Sequence, residues 1–64
     1  MEYELEGKVY NIRQDPTTNR VRLYCVMQNP FKNTYDTVVL YSTSTNAMRN
    51  KINRQYKKFE KDGK

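Results

Sequence analysis

Near the C-terminal end, Met48, Ile52, Tyr56 and Phe59 recur at steps of four, four and three. That spacing draws one apolar stripe along a helix from about Thr45 to Lys61. A helix with a single apolar stripe must set it against another element. The upstream segments are dominated by period-two alternation and turn residues, so a sheet is the economical cover. In 64 residues there is room for one domain, spanning 1–64. Ser42-Thr43-Ser44-Thr45 offers several helix N-caps. Gly63 is a stop signal, with Asp62-Gly63-Lys64 frayed.

Three strands are expected upstream. In the first, Glu2 to about Gln14, the residues Tyr3, Leu5 and Val9 share one face against Glu2, Glu4, Glu6 and Lys8. The apolar phase then shifts to Tyr10 and Ile12, which a bulge or a break into two short strands beside Gly7 would produce. Asp15-Pro16-Thr17-Thr18-Asn19 is a turn, with Pro16 suited to position i+1 and Asn19 tolerant of left-handed geometry. Arg20 to Met27 forms the second strand, its Val21, Leu23, Cys25 and Met27 facing the core. Gln28 to Asn33 reads as a loop. Tyr35 to Ser42 is the third strand, partly apolar on both faces, as a middle or partly covered strand would be. The expected fold is α+β, a three-stranded antiparallel β-sheet packed against one C-terminal α-helix in the order β-β-β-α.

The residue inventory speaks against an enzyme. There is no His, the commonest general base near neutral pH and the commonest metal ligand. One Cys forms neither an internal disulfide nor a zinc site, and Cys25 falls on an apolar strand face as a packing residue. Gly7 and Gly63 are too far apart for a phosphate-binding loop. No cofactor and no metal are expected. The longest aliphatic run, Val38-Val39-Leu40, is far short of a membrane span, and residues 1–6 lack a signal-peptide core. A cytoplasmic location without a membrane partner is the expectation. Seven Asn and seven Lys beside a single Ala fit an AT-rich coding sequence, such as that of a phage.

Charge is more informative. The formal net charge of +5 averages an N-terminal segment holding Glu2, Glu4 and Glu6 with a strongly basic remainder. On the helix, Arg49, Lys51, Arg54, Lys57, Lys58 and Lys61 meet Glu60 alone within residues 49–61. A face kept charged for solubility mixes both signs, and here the i,i+4 Glu–Lys partners that offset repulsion are almost missing. A second cationic row, Arg20, Arg22 and Tyr24, joined across a hairpin by Arg13, alternates basic and aromatic groups on an outward sheet face. Arginine reaches phosphates or guanine edges, and tyrosine packs on sugar or stacks on a base.

Strand, Asp-Pro turn, basic strand, third strand and C-terminal helix resemble the arm-type DNA-binding domains of phage and transposon integrases. The order is similar to that of plant AP2-type domains. The resemblance lies in the order of elements over residues 8–61. It implies a sheet face in the major groove, corresponding here to Arg20, Arg22 and Tyr24. The leading expectation is therefore a small nucleic-acid-binding module, for duplex DNA ahead of RNA. Its contact residues would be Arg13, Arg20, Arg22, Tyr24, Arg49, Lys51, Arg54, Lys57 and Lys58. The alternative is a small phage-type protein that binds and modulates a host protein through a tyrosine-rich, basic surface. A homodimer through the sheet edges is a third expectation.

Overall fold

The computed structural model describes residues 1–17, 20–32 and 36–62. Four strands, β1 (Glu2–Leu5), β2 (Lys8–Gln14), β3 (Leu23–Gln28) and β4 (Thr37–Ser42), precede one helix, α1 (Thr45–Asp62). The strands form one antiparallel meander in the order β1-β2-β3-β4. The class is α+β with a C-terminal helix, as the sequence indicates, but the sheet has four strands and not three.

The extra strand comes from Glu6 and Gly7. Both have positive φ, 50° and 79°, the pattern of the tight turn whose twist matches a two-residue hairpin. Leu5 pairs with Lys8 across it, and Tyr3 with Tyr10. The turn moves the apolar positions from odd to even numbers, so the phase shift marks two strands. Val9 therefore does not share a face with Tyr3 and Leu5. It pairs with Glu4 on the opposite side and is 54% exposed.

Two further strand expectations change. β3 begins at Leu23, because the β2–β3 connection closes where the Asp15 amide donates to the Arg22 carbonyl (2.7 Å). Arg20, Val21 and Arg22 precede the strand, and Val21, expected in the core, is 64% exposed. The proposed turn residues Thr18 and Asn19 lie outside the described residues. Among the described residues β4 pairs with β3 alone, so it is an edge strand covered on one face by the core, the partly covered alternative and not the middle strand. Its two apolar faces differ in fate. Val38 and Leu40 pack on the core, while Val39 and Tyr41 stay exposed on the other side. Tyr35, the proposed start of this strand, is outside the described residues, as is the stop signal Gly63.

The core lies between one sheet face and α1. Tyr10, Ile12, Cys25 and Met27 rise from the sheet to meet Met48, Ile52 and Phe59, with Tyr56 packed beside them. Burying side chains of this size contributes about 1.5–3 kcal/mol each, so this cluster is what fixes the helix to the sheet. Ser44 caps α1, its hydroxyl accepting from the Ala47 amide (3.2 Å) and its carbonyl from the Met48 amide (3.0 Å). Asn29 organises the β3–β4 connection. It is buried, its side-chain oxygen accepts from the Phe31 amide (2.9 Å), and its own amide donates to the Asp36 carbonyl (2.9 Å). Phe31 then meets Tyr56 of α1 edge-on at 5.1 Å. Among the described residues no helix is long and apolar enough to cross a membrane.

Candidate nucleic-acid interface

Strand alternation decides which side chains leave the core. With Ile12, Cys25 and Met27 turned toward α1, their neighbours Arg13, Tyr24 and Val26 stand on the opposite face of the sheet. Register aligns Arg13 with Tyr24, and Tyr24 with Tyr41, in one row across three strands. The Arg22 guanidinium lies over the Tyr41 ring, 4.1 Å from its centroid, and its Nε is 3.9 Å from Asp15 Oδ2. Asp15 also accepts from the Thr17 hydroxyl (2.6 Å) and the Thr17 amide (2.9 Å). Those two bonds, with Arg22 nearby, hold the Asp15 carboxyl below its ordinary acidity range. Arg22 thus helps to build the β2–β3 connection. Arg20 is exposed in a bend ahead of the strand, so the regular row Arg20-Arg22-Tyr24 expected on a strand does not form.

The helix presents a different surface. Met48, Ile52 and Phe59 are buried beneath it, which turns Arg54, Lys57, Lys58 and Lys61 outward, all exposed. Within Arg49–Phe59, Arg49, Lys51, Arg54, Lys57 and Lys58 occur without one carboxylate. Two of these cations have structural partners. Arg49 lies over Tyr3, 5.8 Å from the ring centroid, where the Tyr3 hydroxyl donates to Asn53 Oδ1 (2.9 Å). Lys51 reaches across the open side of β4 and donates to the Tyr41 carbonyl. Lys57 borders a groove with Glu6, Tyr56 and Glu60.

The nine candidate residues do not form one surface: Arg13 and Tyr24 are on the sheet face away from α1 and Arg54, Lys57 and Lys58 on the outer face of the helix, while Arg22 and Lys51 meet around Tyr41 in a depression that Ser42, Thr43 and Ala47 complete. Tyr41 is a further member of the sheet row, paired with Tyr24. Its alternation with Leu40 was visible, but its pairing with Tyr24 depends on a β3–β4 register that no motif announces. Among the described residues no group of three or more His, Cys, Asp or Glu is arranged to hold a metal ion. No family model matches the chain, and no curated protein or solved structure matches it either.

Proposed function

We propose that the protein is a nucleic-acid-binding module that lays the outer face of α1 along the phosphates of duplex DNA. The observation that carries this reading is the carboxylate-free run of cations from Arg49 to Lys58, with Arg54, Lys57 and Lys58 exposed and directed away from the core. Among the described residues none of those three side chains forms a hydrogen bond or ion pair, and Lys57 borders the groove it shares with Glu6 and Glu60. By contrast Arg22 serves a loop and a tyrosine ring, and Lys51 serves a strand edge. Lys61, one turn further on, extends the row so that Arg54–Lys61 covers about 10 Å at 1.5 Å per residue. Such a row suits successive phosphates without demanding a base sequence.

A titration against duplex DNA, single-stranded DNA and structured RNA at two salt concentrations tests the reading. Four phosphate contacts give a slope of about −4 in log K against log salt on duplex DNA. Charge reversal at Arg54 and Lys58 weakens binding strongly, while reversal at Arg13 and Arg20 leaves it nearly unchanged. The opposite ranking assigns binding to the sheet row. A flat salt response, or no binding at low salt, removes nucleic acid as the ligand.

A further inference from the structure

The sheet face turned away from α1 is apolar in its middle and charged at two opposite corners. Val9 on β2, Val26 on β3 and Val39 on β4 are 54%, 51% and 43% exposed, with Tyr41 beside them. Val9, Val26 and Tyr24 line one depression with Tyr10, Asn11 and Arg13, beside the point where the β2–β3 ladder ends at Ile12 and Cys25. Three β-branched aliphatics and a tyrosine exposed on one face form a patch of the kind that marks a protein contact. The corners carry opposite signs. Glu4 pairs with Val9 and Glu2 with Asn11, which puts both carboxylates on the β1 side of this same face. Arg13 stands at the far end of β2, and the Arg22 guanidinium leans over Tyr41 at the far end of β4. Two carboxylates on this face argue against a polyanion as its ligand.

We propose that this face is the interface of a symmetric homodimer in which two copies pack sheet against sheet. The charge pattern selects both the occupant and its orientation. A two-fold axis lying between the sheets, along the diagonal that separates the corners, carries Glu4 of one copy onto Arg22 of the other. The same operation carries Glu2 onto Arg13. Each pair forms twice, as an isologous contact requires. Strands of the two copies then cross at close to a right angle, one of the two arrangements that packed sheets adopt. The valines meet in the middle and the ion pairs form the rim. Three interstrand spacings and about six residues of strand give a face of about 14 by 20 Å. That is about 560 Å² of projected area for two copies, and with side-chain relief about 700 Å² buried in total, well under the size of a stable specific interface. The dimer is accordingly weak and reversible, and α1 of each copy stays on the outside.

Sedimentation velocity of the full chain from about 1 to about 500 µM, a range suited to so small an interface, reads the equilibrium directly. The wild-type protein passes from monomer to dimer within it, and Val39→Asp stays monomeric. Glu4→Arg and Arg22→Glu each dimerise at least about tenfold more weakly alone, because each sets like charges opposite one another. Mixed one to one they form a heterodimer, since both ion pairs are restored with reversed sign. Glu2→Arg and Arg13→Glu repeat the test away from the Asp15 loop, and circular dichroism establishes that each variant is folded. Wild-type protein that is monomeric throughout overturns the proposal and leaves the face to a different protein. A dimer that Val39→Asp leaves intact places the interface at the strand edges and overturns it too. So does a mixture that associates no better than its separate components.

Discussion

The guanidinium of Arg22 sits 4.1 Å from the centroid of the Tyr41 ring, tying the β2–β3 connection to the edge strand β4. A cation on a tyrosine face at an exposed site contributes about 0.5–1 kcal/mol. Arg22→Ala and Tyr41→Leu are each expected to destabilise the fold, and their effects to couple by about that amount in a double-mutant cycle read by urea denaturation. Independent effects would mean that the stacking contributes nothing.

Asp15 gives the protein a defined response to acid. Its carboxyl is held below the ordinary value of 3.8, chiefly by the Thr17 hydroxyl, then by the Thr17 amide, with a lesser part from Arg22. A carboxylate with a depressed folded-state pKa stabilises the fold above its unfolded pKa, and that contribution disappears as pH falls through the folded one. The stability difference between wild type and Asp15→Asn should be constant near neutrality and shrink below about pH 4. In Thr17→Ala the Asp15 carboxyl titrates at higher pH, as a carbon-detected NMR titration would record. An unmoved midpoint would remove the hydroxyl from its leading place.

The turn between β1 and β2 can be improved at one position and damaged at the next. Glu6 holds φ 50°, a region that Asn adopts more readily. Glu6→Asn is expected to raise stability by about 0.5–1 kcal/mol. Gly7 holds φ 79°, and a Cβ built there would meet nothing within 4 Å. Gly7→Ala therefore costs about 1–2 kcal/mol through backbone strain alone. Thermal unfolding of the two variants should shift in opposite directions.

The Tyr10 hydroxyl is buried without a hydrogen-bond partner among the described residues, and burial pushes its pKa up. An unsatisfied buried hydroxyl costs about 1–3 kcal/mol, so removing it recovers part of that. Tyr10→Phe is expected to be more stable than wild type by about 1 kcal/mol in chemical denaturation. A loss of similar size would reveal a bound water serving the hydroxyl.

The helix was legible in the sequence almost to its last residue, because Met48, Ile52, Tyr56 and Phe59 are spaced for one buried stripe and Ser44 stands ready to cap it. Class and chain order were legible for the same reason. Strand number was not. A glutamate at positive φ gives no compositional sign of a turn, and Gly7 alone is compatible with either a bulge or a hairpin. Val21 misled because its alternation continues past the point where pairing stops, and pairing is fixed by the Asp15–Arg22 backbone contact. At the candidate site, the outward helix cations followed directly from the stripe. The partners of Arg22 and Lys51 did not, since both depend on how distant segments meet: Tyr41 is 19 residues beyond Arg22, and Lys51 turns back to that residue's carbonyl.

The meander order has a kinetic meaning. Each ladder joins a strand to its immediate neighbour along the chain, so no strand waits for a distant partner before it can pair. Single hairpins close in about 1–10 µs, and topologies dominated by local contacts reach the native state faster than those with crossovers. Rapid closure shortens the interval in which bare strand edges and the unshielded core face of a small sheet are open to collisions with other chains.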